Sequence, residues 1–142
     1  RPRRAAELTS RERRERALLA MCIAMPVEGR GYLERLTAEH LSATGHQAAT
    51  WLKDHLEDPA SNLPADAEMS SLITELVMLS REEHASEEAM ELNFLQLEQR
   101  RIEGEIAAAG ERGDYERRAA LSRERAALVE RIAHMERLTS SL

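Results

Sequence analysis

The chain has 142 residues, of which 42% are hydrophobic, 32% are charged and only 3% are aromatic, and its formal net charge is −6 at pH 7. This length fits about one domain, and many charged residues with few prolines and glycines favour an all-helical fold. Cys22 is the only cysteine, which excludes an internal disulfide and is typical of a reducing compartment. No apolar run approaches the ~20 residues that cross a bilayer, so we expect a cytoplasmic protein.

Positive charge is concentrated at the amino-terminal end of the chain. Residues 1–16 contain seven arginines and three glutamates. We interpret residues 1–9 as a basic linker arm that belongs to a longer protein. The arm could alternatively contact a phosphate backbone, although no basic stripe continues into the folded part and the few aromatic residues are too scattered to stack on bases.

Residues 10–85 are predicted to form a bundle of helices. Thr9 and Glu12 are the ends of a capping-box pattern, which opens a helix through a nearly continuous apolar run. Because that run is apolar on most sides, we expect this helix to lie at the centre of the bundle. Pro26 is predicted to end it, followed by a turn at 27–31 and a short helix at 32–36.

Two further helices of the bundle are predicted. A second capping-box pattern at Thr44–Gln47 precedes a helix whose apolar face includes Trp51. The prolines in the stretch 58–64 predict a loop. Another helix is expected from about Asp66, with apolar residues recurring along one face.

Residues 86–142 are predicted to form a long helix and a projecting antiparallel helical hairpin. Apolar residues recur three, four or seven positions apart among Glu, Gln and Arg, which is the pattern of amphipathic helices. Gly113 and Asp114 offer a left-handed C-cap position and an N-cap in a tight connection, which forces the helices on either side to run antiparallel. Ser80 and Ser86 are competing caps, so the presence of a break before the first arm stays open.

The sequence shows no pattern for catalysis or metal binding. Zinc sites need closely spaced Cys or His pairs and di-iron bundles need Glu three residues before His, and neither pattern occurs. Cys22 lies in an apolar segment where its thiol would be inert, and the acidic run at 82–91 is typical of a solvated helix start. We therefore expect no catalytic residue, no metal and no cofactor, and a function in docking another helical protein.

The order of these elements resembles a known family. The segment 14–20, the pair Met25 and Pro26, and the stretch Leu41–His46 before a Trp-bearing helix are similar to a helical domain found in bacterial DnaG-type primases and DnaB-type helicases. The hairpin, beginning with Leu97–Ile106, is more similar to the end of a DnaG-type primase. The chain thus resembles the C-terminal helicase-binding domain of that family.

This resemblance implies a non-catalytic domain that docks on the N-terminal domains of the hexameric replicative helicase and recruits the primase to the replication fork. In that family the terminal hairpin supplies much of the contact, so we predict that large and basic side chains of its last arm bind the partner. Some of these side chains must face the first arm instead, and the sequence does not say which. The predicted contact residues are Tyr115, Arg118, Leu121, Leu128, Arg131, Ile132, Met135 and Leu138.

Two other interpretations stay open. The N-terminal domain of the helicase itself would self-associate into dimers or higher rings, whereas the primase module is expected to be mostly monomeric. A nucleic-acid-binding helical module that uses the basic arm would bind DNA in a salt-sensitive manner, and binding would disappear without residues 1–16.

Overall fold

The computed structural model describes residues 8–82 and 84–140, and this part of the chain is all-helical. It is 77% helical and contains no strand, which confirms the predicted all-α class. Most of the basic arm predicted at 1–9 lies outside the described residues. None of the described helices is both long and apolar enough to cross a membrane. The described residues form six helices, namely α1 (Ser10–Ala24), α2 (Pro26–Arg35), α3 (Ala43–Lys53), α4 (Ala67–Ser80), α5 (Glu87–Glu111) and α6 (Tyr115–Ser140).

The core of the protein surrounds α1. This helix contacts α2, α3, α4 and α5, and its residues Leu18, Leu19 and Cys22 are at most 1% exposed. Ile73 and Leu76 of α4 are fully buried in the same cluster. Because α1 presents apolar side chains on most sides, several helices pack around it at once. At about 1.5–3 kcal/mol for each large side chain removed from water, this core is the main source of stability.

The start of α1 is as predicted. The Thr9 hydroxyl accepts a hydrogen bond from the backbone N–H of Glu12 at 3.1 Å, and the Glu12 carboxylate accepts one from the backbone N–H of Thr9 at 3.1 Å. Both bonds of the capping box are therefore present. They satisfy two N–H groups that would otherwise lack a partner at the beginning of the helix.

The turn predicted at 27–31 is wrong, because these residues belong to α2. Pro26 occupies the first turn of α2, where its missing N–H costs nothing and its fixed φ favours the helix. The proline therefore ends α1 and also begins α2, with Met25 between the two helices. The short helix expected at 32–36 is the second half of this longer one.

Gly29 lies where α2 approaches α1. A Cβ atom at this position would lie 2.5 Å from the carbonyl oxygen of Cys22 and 2.6 Å from its Cα atom. These are backbone atoms, which cannot yield unless α1 shifts as a whole, so the close contact requires glycine. At Gly31, by contrast, a Cβ atom would meet nothing within 4 Å.

The capping box predicted at Thr44–Gln47 is wrong, because Ser42 caps α3. The Ser42 hydroxyl accepts a hydrogen bond from the backbone N–H of Gly45 at 3.1 Å and donates one to the Glu15 carboxylate at 3.0 Å. Glu15 of α1 is 3% exposed and also accepts a hydrogen bond from the backbone N–H of Ser42. A buried carboxylate thus joins the start of α3 to α1, and no local sequence pattern contains that contact.

A break separates α4 from α5. The helix predicted from about Asp66 is α4, and the Asp66 carboxylate caps it by accepting a hydrogen bond from the backbone N–H of Met69 at 2.8 Å. Helix α4 ends at Ser80. The Ser86 hydroxyl then caps α5 by accepting a hydrogen bond from the backbone N–H of Ala89 at 3.0 Å. Of the two competing caps, Ser86 therefore begins the long helix.

Helices α5 and α6 are joined by a tight turn. Gly113 has a φ of 73°, which favours glycine, and the Asp114 carboxylate accepts a hydrogen bond from the backbone N–H of Arg117 at 3.1 Å. The left-handed glycine and the aspartate cap are both as predicted. Helix α6 packs along α5, and within the described residues it makes no comparable contact with α1–α4.

The core continues across the boundary that the sequence predicts between residues 85 and 86. Met90, Leu95 and Leu97 of α5 are at most 2% exposed and belong to the cluster that surrounds α1. Farther along the hairpin, α5 and α6 share a smaller buried seam. Its buried residues are Ile102, Ala109 and Leu121. The first half of α5 is therefore part of the bundle, and the second half packs with α6.

We expect Gly29→Ala to lower the free energy of unfolding by about 1–3 kcal/mol, because the added Cβ meets the backbone of Cys22. Gly31→Ala is the matched control, and it should raise the free energy of unfolding by about 0.5–1 kcal/mol because alanine favours the helix interior. Urea denaturation followed by circular dichroism measures both values. Similar effects of the two substitutions would contradict the close contact between α1 and α2.

Candidate docking surface

Charged pairs hold α6 against α5. In each pair an arginine of α6 meets a glutamate of α5, and the glutamates run backwards along α5, as antiparallel helices require. Exposed pairs contribute only about 0–1 kcal/mol each, so their main effect is on the alignment of the two helices. The pairs are Arg117–Glu105 at 3.5 Å, Arg125–Glu103 at 2.8 Å and Arg131–Glu91 at 3.0 Å.

Several of the predicted contact residues face the protein's own interior. Leu121 is 1% exposed in the seam with α5, and Ile132 is 7% exposed in the main core. These two are among the predicted residues that face the first arm or the core, and a buried side chain offers no surface to a partner while α5 and α6 are packed together. Leu128 and Met135 are half-buried and pack against the core, so they offer only part of their surface.

The other predicted contact residues reach the surface at the two ends of α6. Tyr115 is 67% exposed at its beginning, beside the exposed Arg118, and Leu138 is 45% exposed near its end. Arg131 is also exposed, although its guanidinium is bound to Glu91. At about 1.5 Å per residue, Tyr115 and Leu138 are roughly 35 Å apart. The predicted residues therefore do not form one continuous surface.

A polar junction that sequence reasoning missed joins α5 to α2 and α6. The Glu91 carboxylate accepts hydrogen bonds from the Tyr32 hydroxyl at 2.8 Å, from Arg35 at 3.1 Å and from Arg131 at 3.0 Å. The Arg35 guanidinium also lies 4.0 Å from the centre of the Phe94 ring. Burial acts to raise the pKa of Glu91, but the hydrogen bonds from Tyr32 and Arg35 outweigh it and hold that pKa below its usual range.

A second junction lies farther along α5. The Glu98 carboxylate contacts Nε2 of His40 at 2.6 Å and Nε of Arg101 at 2.8 Å. His40 is 5% exposed, and its Nδ1 accepts a hydrogen bond from the backbone N–H of Thr37 at 3.0 Å, which leaves Nε2 to donate to Glu98. The hydrogen bond from Arg101, aided by His40 and opposed by burial, lowers the pKa of Glu98 to about 2.

One sequence signal points to both junctions. Glu91 and Glu98 are seven residues apart, so they share a face of α5. Acidic residues on one face of a helix are equally typical of a solvated surface, however, and the partners of Glu91 and Glu98 on the bundle are distant in sequence. Tyr32 lies 59 residues before Glu91, and His40 lies 58 residues before Glu98. Only the packing of α5 on the bundle brings these groups together.

Among the described residues, the groups that could bind a metal ion or react with a ligand are dispersed, buried or already bonded. In residues 8–82 and 84–140, no group of three or more His, Cys, Asp or Glu side chains is placed to hold a metal ion. Cys22 is fully buried, and burial raises the pKa of its thiol to about 12, which keeps it protonated at neutral pH. The buried Glu15 carboxylate is occupied by Ser42. The exposed length of α6 is therefore the main candidate for a functional surface.

Comparison with known proteins identifies no family for this chain. It matches no protein-family model, and searches of curated proteins and of solved structures find no match.

We expect Glu98→Gln to lower the free energy of unfolding at pH 7 by about 1–2 kcal/mol, because charge-assisted hydrogen bonds from Arg101 and His40 are weakened. The folded-state pKa of Glu98 is depressed to about 2, so its contribution is present above the usual glutamate pKa and is lost as the pH falls toward 2. The difference between wild type and variant should therefore shrink between about pH 5 and pH 2.

Glu124→Gln is the control for this experiment. Glu124 is exposed on α6, and no described residue forms an ion pair with it. Its substitution should change the free energy of unfolding by less than about 0.5 kcal/mol at every pH. Urea denaturation across the pH range measures both variants, and a Glu98→Gln effect that stays constant with pH would contradict the depressed pKa.

Proposed function

We propose that this chain is a non-catalytic docking module of bacterial DNA replication, equivalent to the C-terminal helicase-binding domain of a DnaG-type primase. Its partner would be the N-terminal domains of the hexameric replicative helicase. By holding the primase at the fork, the module would couple primer synthesis to unwinding. The resemblance in residues 14–46 and in the hairpin suggests this partner, and the form of the hairpin is compatible with it.

The observation that carries the proposal is the position of α6. This helix packs along α5 and makes no comparable contact with the other described helices, so most of its circumference faces solvent. A long helix with an uncovered surface is suited to docking in a groove between helices of another protein. Large apolar side chains and arginines are the residue types that most often anchor such contacts.

We place the docking contact at the C-terminal end of α6. Leu138 is 45% exposed there, and Arg131 and the half-buried Met135 lie on the same side of the helix. In this arrangement Leu138 inserts into an apolar groove of the partner, and Met135 extends the contact toward the core. Arg131 lies beside them, but Glu91 already binds its charge.

The two polar junctions favour this function because they fix the orientation of the hairpin. Glu91 connects α5 to α2 and α6, and Glu98 connects α5 to the segment that precedes α3. A surface that is held in place before binding loses less conformational entropy when the partner docks. The bundle would therefore act as a rigid support that presents α6.

We expect Leu138→Asp to weaken binding to the replicative helicase of the same organism by about tenfold or more, because a charged group replaces an apolar anchor. Its far-UV circular dichroism and thermal midpoint should not change, since Leu138 is exposed. Co-sedimentation of the chain with the helicase hexamer measures the binding. Leu138 is a cleaner probe than Arg131, whose reversal to glutamate would also disturb the junction at Glu91.

Met78→Asp is the matched control, because Met78 is a large apolar residue of α4 that is 62% exposed. It should leave helicase binding unchanged. Full-strength binding by Leu138→Asp would remove the C-terminal end of α6 from the interface. If the wild-type chain does not co-sediment with the helicase and instead assembles into rings by itself, the proposal is overturned in favour of the helicase N-terminal domain.

A further inference from the structure

A second exposed face of α6 carries a regular pattern. Its small and apolar residues alternate in steps of four and three, which is the heptad spacing of helices that pair side by side. We call this face the outer stripe. It consists of Tyr115, Ala119, Ser122, Ala126, Val129 and Ala133.

The outer stripe is uncovered in the structure. Tyr115 is 67% exposed and Val129 is 37% exposed, and only Ala133 is half-buried. Successive residues of a helix are rotated by about 100°. Viewed along α6, the outer stripe therefore lies to one side of the face that contacts α5, and Arg131 and Leu138 lie to the other side. It is therefore a different surface from the proposed helicase contact.

A row of charged residues runs along one edge of the outer stripe. They are seven residues apart and alternate in sign, from Glu116 through Arg123 and Glu130 to Arg137. The inner pair is Arg123 and Glu130, and the outer pair is Glu116 and Arg137. The midpoint of each pair lies between residues 126 and 127. When the helix is reversed end for end about this point, every acid takes the place of a base. This order is complementary to itself in an antiparallel arrangement.

The environment of the two central charges, Arg123 and Glu130, differs from that of the arginines facing α5. Arg117, Arg125 and Arg131 each pair with a glutamate of α5. The side chains of Arg123 and Glu130 form no hydrogen bond or ion pair with any residue in 8–82 or 84–140. Packing among the described residues therefore leaves the two charges closest to the centre of the stripe without an ion pair.

We propose that the outer stripe binds a second copy of this chain, with the two α6 helices antiparallel across a two-fold axis near Ala126. Arg123 of each copy then faces Glu130 of the second copy, and Glu116 faces Arg137. Small side chains along the stripe let the helices approach to about 8 Å, at the close end of the usual range. Ala126 packs opposite Val129 of the second copy. The midpoint of these two positions lies one residue, or about 1.5 Å along the helix, from the midpoint of the charged pairs.

The charge order favours a second antiparallel copy over other arrangements. In a parallel pair, Arg118 of one copy would face Arg123 of the other, which is repulsive. Arg125 lies one heptad after Arg118 on the same edge of the helix, and it is already bound to Glu103, so it adds little to a parallel pair. A two-fold contact is also closed, so it yields a dimer and no larger ring. Because the stripe is rich in alanine, we expect the monomer to predominate at low concentration.

Charge reversal tests this dimer. Arg123→Glu alone places two glutamates opposite each other at both symmetric positions, and Glu130→Arg alone places two arginines there. Each single variant should therefore raise the dimer dissociation constant about tenfold or more. The double variant Arg123→Glu/Glu130→Arg should recover dimerisation, because the pairs are restored with exchanged sign. Sedimentation equilibrium over a range of concentrations measures the dissociation constant.

An equimolar mixture of the two single variants separates pairing from damage to the fold. One copy then carries two glutamates and the other two arginines, so the mixture should form a heterodimer at least as tight as the wild-type dimer. Glu124→Arg is the control reversal on α6 outside the stripe, and it should leave dimerisation unchanged.

Three results would overturn the proposal, namely a wild-type chain that stays monomeric at every concentration, single variants that dimerise as wild type does, and a mixture that fails to associate. Helicase binding is measured separately through Leu138, on the other side of α6. Loss of the dimer with intact helicase binding would reject this inference alone, and the reverse result would reject only the proposed function.

Discussion

The structure depends on the way helix α5 is held, because α5 alone among the described helices packs extensively on both the bundle and α6. Burial of residues such as Met90 and Leu97 supplies free energy, but the hydrophobic effect has no preferred direction. Direction comes from Glu91 and Glu98, whose hydrogen bonds to Tyr32 and His40 allow one position of α5 on the bundle. The placement of α6 follows, since α6 is aligned on α5 by its arginine–glutamate pairs.

An outer helix with one neighbour retains surface on both of its sides, and the two sides of α6 differ in chemistry. One side has an exposed leucine, Leu138, beside an arginine whose charge is already bound. The other side has a regular stripe of small residues, and along its edge lie the charges of Arg123 and Glu130, which pair with none of the described residues. Irregular apolar anchors are suited to a partner of different sequence, whereas a self-complementary order of charges is suited to a second copy.

Two differences between prediction and structure have the same physical origin. Pro26 begins a helix rather than a turn, and α2 remains continuous through Gly29 because that glycine packs on the backbone of α1. Ser42 rather than Thr44 caps α3 because the buried Glu15 carboxylate binds it. In both cases a contact with α1 selects between local conformations that differ little in free energy. Contacts between helices therefore determined the conformation where local sequence preferences were weak.

The sequence by itself determined the all-α class and some helix ends whose signals act within one turn, including the capping box at Thr9 and the turn at Gly113 and Asp114. Capping bonds join residues about three positions apart, so a short stretch of sequence is enough to predict them. The sequence also narrowed the candidate surface to α6, but its periodicity could not tell which side faces α5. Only the tertiary structure decided that Leu121 is buried and that Glu91 and Glu98 are bound, because their partners are distant in the chain and meet only when the helices pack.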